Sequence, residues 1–159
     1  MTVSQSVDFT VTTTTKSSLL TNMSNRKVTF TPLAPTPVGP YSQAVVATGA
    51  TLYVSGQIGL NPVSRTLVSA TDAAEQAVQA FTNFKAVVEA SGATLADVVK
   101  VNIFLASMAD FAAVNEVMKS FFETPYPARS TVGVAGLPLR ALVELEGIVQ
   151  LPASATPKL

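Results

Sequence analysis

The sequence predicts an α+β domain, a mostly antiparallel or mixed sheet with two amphipathic helices packed on one face. Three observations lead there. Two segments, opening at Asp72 and Asp110, carry apolar residues at helical spacing. Six shorter segments are rich in Val, Ile, Leu and Thr and are bounded by Gly or Pro, the signature of strands. Their order along the chain is βββαβαββ, and elements in that order bury their apolar faces most economically as a sheet covered by two helices.

The first strand is short. Val28-Thr29-Phe30-Thr31 alternates and stops at Pro32, as an edge strand does. Pro35, Pro37, Gly39 and Pro40 then form a stiff loop. Gln43 to Ala47 and Thr51 to Ile58 read as two strands of a hairpin turning at Thr48-Gly49-Ala50. Asn61-Pro62 begins a further loop. Asp72-Ala73-Ala74-Glu75 has capping-box spacing, and Ala74, Ala77, Val78, Phe81, Phe84 and Val88 follow with helical period until Gly92. After a turn at residues 94–97 comes the strand Val98–Leu105, with Val99, Val101, Ile103 and Leu105 on one face and Lys100 and Asn102 on the other. Asp110 is placed to cap a second helix with Phe111, Val114, Val117/Met118 and Phe121 inward, ending before Pro125 and Pro127. Arg129–Ala135 and Leu142–Leu151, joined through Gly136-Leu137-Pro138, close the sheet. In the last strand Val143, Leu145, Val149 and Leu151 should meet the helices. Glu144 and Glu146 then lie on the opposite face, where Leu142, Ile148 and Phe104 also fall. A half-polar, half-apolar outer face suits association with other subunits better than open water.

Composition bounds the chemistry. The chain has 159 residues, 48% hydrophobic and 13% charged, enough for one domain with a substantial core. It contains no histidine, cysteine or tryptophan. Disulfide scaffolds, zinc ribbons, iron–sulfur ligation and thiolate nucleophiles are excluded, as is every Ser-His or Cys-His pair. Ten Lys and Arg balance ten Asp and Glu, and between Val28 and Pro157 six basic residues face nine acidic ones. No nucleic-acid partner is expected from that balance. No apolar run is long enough for a membrane helix.

Residues 1–26 differ from the rest: twelve are Ser or Thr and no hydrophobic period runs through them. They read as a disordered leader, with some features of a transit peptide, ahead of a domain at 27–152 and a tail at 153–159. Cytoplasm and mitochondrial matrix are the compartments this allows.

Few residues remain to carry chemistry. Arg129 opens an apolar strand just after Tyr126-Pro127-Ala128, and a guanidinium on a rigid strand is suited to bidentate capture of a carboxylate. A salt bridge to Glu144 or Glu146 is the structural alternative. Those two carboxylates share a strand face, as solvated charges, ion-pair partners or a base that positions water. Asn115 falls mid-helix near the apolar stripe, where a buried amide needs partners. Tyr41 follows Gly39-Pro40, either as packing or with its hydroxyl toward a neighbouring site. Ser55-Gly56-Gln57 ends a strand where Gly permits close backbone approach.

Taken in order, Gly39-Pro40-Tyr41-Ser42-Gln43-Ala44, Ser55-Gly56-Gln57-Ile58, Asp110-Phe111 with Val114-Asn115, Pro127-Ala128-Arg129-Ser130, Leu137-Pro138 and Val143-Glu144-Leu145-Glu146 resemble the YjgF/RidA family of imine deaminases, over about residues 30 to 152. The resemblance implies a chorismate-mutase-like subunit in a homotrimer with active sites in the clefts between subunits. It implies hydrolysis of small 2-imino acids (2-iminobutanoate and 2-iminopropanoate), released by pyridoxal-phosphate dehydratases, to 2-oxo acids and ammonia without metal or cofactor. Arg129 matches the arginine that clamps the substrate carboxylate, and Glu144 the acid that orients or activates water. Tyr41, Ser55, Gly56 and Asn115 match other pocket residues. Thr131 stands where many members have cysteine. Members have also been labelled ribonucleases that inhibit translation, and a metabolite-binding trimer without turnover is a third reading. The chain has no basic stripe or aromatic-rich face for RNA, and it keeps Arg129.

Overall fold

The computed structural model describes residues 26–153; the Ser/Thr-rich leader up to Asn25 and the tail from residue 154 lie outside the described residues. Eight main elements follow the predicted order: β1 (Arg26–Thr29), β2 (Ala44–Ala47), β3 (Thr51–Ile58), α1 (Ala73–Ala90), β4 (Val98–Leu105), α2 (Phe111–Phe121), β5 (Ala128–Gly133) and β6 (Val143–Gln150). A four-stranded mixed sheet has the order β3-β6-β4-β5, with β4 and β5 parallel and the other pairs antiparallel. β1 and β2 form a separate antiparallel pair.

The expected hairpin between β2 and β3 does not form. Gly49 does turn the chain, at φ 113°. However, Ser42, just before β2, donates its N–H to Pro127 O (3.0 Å) and bridges to Ala128 at the start of β5. β5 and β3 are opposite edges of the sheet, so β2 is held away from β3 and takes β1 as its partner. β1 itself begins at Arg26, whose guanidinium donates to Val98 O (2.6 Å) and Pro125 O (2.7 Å).

The core lies between both helices and the inner face of the sheet. Phe81, Phe84 and Val88 of α1 and Val114 and Met118 of α2 meet Val101, Ile103, Leu105, Val143, Leu145 and Val149. Each large side chain removed from water here contributes about 1.5–3 kcal/mol. Asp72 caps α1, its Oδ1 accepting from Ala74 N (2.8 Å) and Glu75 N (3.0 Å). The buried stripe is rotated slightly from the expected one: Val78 is 47% exposed, and Gln76 and Ala80 are buried in its place. The Gln76 amide is satisfied, donating to Ser69 O (2.7 Å) and accepting from Leu142 N (2.8 Å). Leu142 accordingly leans on the core instead of facing outward.

Two further expectations change. Asp110 makes no side-chain cap; Ser107 Oγ accepts from Ala109 N (3.2 Å) and starts a short 3-10 turn, Met108–Asp110, that runs into α2. In β4 the buried residue is Val98 rather than Val99, because the pairing with β6 slips between Val98 and Lys100. The extra residue is a β-bulge, which re-phases the inward face from Val101 onward.

Candidate active site

Arg129 is the second residue of β5 and lies in parallel register with Val101, Thr131 with Ile103. Both therefore project to the helix side of the sheet. There α2 offers Phe111, Asn115 and Met118, an i, i+4, i+7 set along one helix face. Arg129 Nη1 donates to Asn115 Oδ1 and approaches Met118 Sδ (3.7 Å). The guanidinium carbon lies 5.5 Å from the centroid of the Tyr41 ring and 5.6 Å from that of Phe111. Two aromatic rings and an amide oxygen thus hold the cation in one place. Gly39 lies beside the guanidinium: a Cβ there would sit in ordinary van der Waals contact, 3.5 Å from Arg129 Nη2.

Burial lowers the pKa of Arg129 from its ordinary value, with Tyr41 acting in the opposite direction. Among the described residues no carboxylate lies within ion-pair distance of it; the ion pairs found are Lys85–Glu89 and Lys119–Glu116. The salt bridge from Arg129 to Glu144 or Glu146 is thus not formed among the described residues. Val38, Gly39, Tyr41, Phe111, Asn115, Arg129 and Thr131 line a cleft of about 300 Å³ around the guanidinium. Thr131 Oγ1 is buried there without a hydrogen-bond partner. A permanently unsatisfied hydroxyl costs about 1–3 kcal/mol, so a polar ligand atom is its natural complement.

Glu144, Ser55 and Gly56 stand elsewhere. Glu144 pairs with Phe104 across β6 and β4, and Phe104 with Val132, which places Glu144 on the outer face of the sheet, opposite Arg129 and Thr131. The β3–β6 register slips between Val54 and Gln57, so Ser55-Gly56 forms a bulge beside Glu144. A Cβ on Gly56 would fall 1.8 Å from Glu144 Oε1, so a larger residue there would displace the carboxylate from this position. Of the two strand carboxylates, Glu146 accepts from Asn102 Nδ2 (2.9 Å), whereas Glu144 has no hydrogen-bond partner among the described residues.

The candidate residues thus form two groups. Tyr41, Asn115, Arg129 and Thr131 converge on the cleft, and Ser55, Gly56 and Glu144 converge on the outer face. Phe111 and Gly39 belong to the first group without having been singled out as site residues. The 111/115/118 spacing was the available signal for Phe111, hidden because the same residue fits the core stripe. Among the described residues no group of three or more acidic, His or Cys side chains could hold a metal ion, and no helix is long and apolar enough to cross a membrane.

Residues 31–151 match the family model described as Endoribonuclease L-PSP. The chain belongs to that family, the YjgF/RidA proteins. Every candidate residue from Tyr41 to Glu144 falls within the match. A family relative from Dermatophagoides farinae, named 2-iminobutanoate/2-iminopropanoate deaminase, is 59% identical over 127 residues, covering 80% of this chain and 98% of its own. The crystal structure of RidA from an Antarctic Psychrobacter is 45% identical with a TM-score of 0.62, covering 79% of this chain and 99% of that one. Another YjgF/RidA structure, E. coli TdcF with bound serine, is 38% identical with a TM-score of 0.61, covering 79% of this chain and 98% of its own.

Proposed function

We propose that this chain is a 2-iminobutanoate/2-iminopropanoate deaminase that works without metal or cofactor. The observation that carries the reading is Arg129: a partly buried cation with no carboxylate partner among the described residues, fixed between two rings beside an orphaned hydroxyl. Such a group is complementary to a small carboxylate, captured through two charge-assisted hydrogen bonds. The names of close relatives supply the rest of the substrate, a 2-imino acid. The bound serine of the TdcF structure is consistent with a small amino-acid-like ligand in this family.

The chemistry needs little beyond position. Arg129 holds the carboxylate, with Tyr41 and Asn115 fixing the guanidinium and Thr131 offering its hydroxyl. Water attacks the C=N carbon while Glu144 accepts one of its protons, and the imine nitrogen takes a proton from solvent. The tetrahedral carbinolamine then collapses: Glu144 passes its proton to the amino nitrogen, the hydroxyl gives up its proton to solvent, the C–N bond breaks, and ammonia leaves with the 2-oxo acid remaining. Orientation of this kind supplies several kcal/mol without a covalent intermediate.

Arg129 and Glu144 face opposite sides of one sheet, so in this reading the working site combines the Arg129 group of one subunit with Ser55, Gly56 and Glu144 of a neighbour. A homotrimer of chorismate-mutase-like subunits provides such junctions. Residues 27–152 are the catalytic unit, with 1–26 a leader and 153–159 a tail, acting in cytoplasm or mitochondrial matrix beside the pyridoxal-phosphate dehydratases that release imines. The ribonuclease reading lacks support in the cleft, which Arg129 lines as the single cation among the described residues.

The test supplies the purified protein with threonine and a threonine dehydratase and follows 2-oxobutanoate. Wild type accelerates its formation, and Arg129→Ala abolishes the acceleration while assembly survives. An inert wild type, or a fully active Arg129→Ala protein, overturns the assignment.

A further inference from the structure

One wall of the Arg129 cleft is made by a segment with little else to hold it. Residues 31–41 include Pro32, Pro35, Pro37 and Pro40, which have no N–H to donate. Leu33 and Val38 are 96% and 95% exposed, so apolar burial holds the segment only at its Pro40 end. Its local hydrogen bonds run from Leu33 N to Thr31 Oγ1 (3.2 Å) and from Tyr41 N to Gly39 O (2.8 Å).

The remaining ties come from one side chain. Gln43 Oε1 accepts from Thr31 N (2.7 Å), and its Nε2 donates toward Thr31 O (3.1 Å), Ala34 O (3.3 Å) and Pro35 O (2.9 Å). Gln43 stands two residues after Tyr41. Between them Ser42 is anchored to β5, its N–H donating to Pro127 O and its hydroxyl to Tyr126 O. The near end of the segment is therefore fixed to the strand that carries Arg129, and the far end is fixed by the Gln43 amide. Val38, Gly39 and Tyr41, which face the guanidinium, lie between the two anchors.

We propose that Gln43 is a positioning residue for the candidate site: its amide clasps the proline-rich segment and so sets Gly39 and the Tyr41 ring against Arg129. The inference rests on the carboxylate-capturing reading of Arg129. Gln43 touches none of the cleft and takes no part in proton transfer. Its loss loosens the wall that keeps the guanidinium in place and leaves the Glu144 group intact. An interaction that holds the substrate carboxylate equally in ground and transition states moves KM and spares kcat.

The experiment compares Gln43→Ala and Gln43→Glu with wild type in the coupled imine assay and in amide hydrogen exchange of residues 31–42. Gln43→Glu keeps the acceptor for Thr31 N and loses the donor to three carbonyls, so it should resemble Gln43→Ala. The expected result is a KM rise on the order of tenfold with kcat changed less than about twofold, together with faster exchange confined to this segment and an unchanged melting temperature. Wild-type KM, or unchanged exchange in both variants, overturns the proposal. A joint collapse of kcat, KM and melting temperature also overturns it, in favour of a purely structural role. If Gln43→Ala does not fold, Gln43→Glu alone decides. If wild type itself hydrolyses no imine, the functional reading falls. The exchange pattern then still decides whether Gln43 holds the segment.

Discussion

Burial works against the charge of Arg129. Burial lowers its pKa, meaning that the folded state disfavours its charged form relative to the unfolded chain. Because the folded value lies below the unfolded one, that penalty is felt in full at every pH below the folded value. It is relieved only in the alkaline window between the two, and arginine stays protonated at working pH. Replacing Arg129 with Met is therefore expected to leave the melting temperature of the unliganded protein unchanged or higher; a clear drop in a thermal scan would show that its contacts with Asn115, Tyr41 and Phe111 outweigh the cost of burying the charge. Conversely, 2-oxobutanoate at about one hundred times its Kd should stabilise wild type by about 2.7 kcal/mol and leave Arg129→Met unaffected. The two carboxylates of β6 separate in the same way. Glu144→Gln should lower kcat/KM by about 10²–10⁴-fold, the usual span for a lost general base. Glu146→Gln keeps an oxygen to accept from Asn102 and should stay close to wild type. Comparable losses in both variants would remove the special role given to Glu144. Arg129 was legible in the sequence because a lone cation opening an apolar strand is conspicuous. Phe111 and Gly39 were not, since one fits a core stripe and the other a turn.

At the scale of elements, side-chain pattern was a good guide and backbone irregularity a poor one. Asp72 announced α1 through chemistry that is local to three residues. The bulges at Val99 and at Ser55-Gly56 have no side-chain signature, because each depends on how a neighbouring strand registers. The hairpin expected at Gly49 failed for a similar reason: a bond 85 residues away in sequence, from Ser42 to Pro127, decides where β2 goes. Close packing shows the same dependence on distant partners. Gly147 lies in β6, where a Cβ would fall 2.6 Å from Phe84 Cζ and 3.0 Å from Lys100 O. Gly147→Ala should thus destabilise by about 1–3 kcal/mol through overpacking. A Cβ on Gly136 would meet nothing within 4 Å beyond its chain neighbours, so Gly136→Ala should be close to neutral. Urea unfolding reads both: a lower midpoint for the first at unchanged slope, and no shift for the second. Equal midpoints would mean that Phe84 repacks freely and the helix–sheet contact is looser than the geometry implies.

The chain leaves its two groups of candidate residues on opposite faces of the sheet. The outer face of the sheet carries Tyr53 at 75% exposure and Val132 at 46%, with Phe104 and Ile148 half-buried and Glu144 among them. A second copy packed on that face would cover this apolar surface and bring its own Arg129 cleft toward Glu144. The mixed polarity was readable from strand alternation; that Arg129 and Glu144 face opposite sides of the sheet was not, because it depends on how β4, β5 and β6 register with one another. The division has a consequence that a self-contained site would not share. Arg129→Ala retains Glu144, and Glu144→Gln retains Arg129, so each is inactive alone while both complement across a junction. In a cyclic trimer reassembled at random from equal amounts, a junction is competent when the subunit supplying the arginine is Glu144→Gln and the one supplying the glutamate is Arg129→Ala. That holds for about a quarter of junctions, so activity should return to about a quarter of wild type on mixing. The measurement is the coupled imine assay on the two variants before and after joint denaturation and refolding. Recovery also distinguishes this arrangement from one in which a single chain rearranges to join its own groups, since two defective chains of that kind would stay inactive in any mixture.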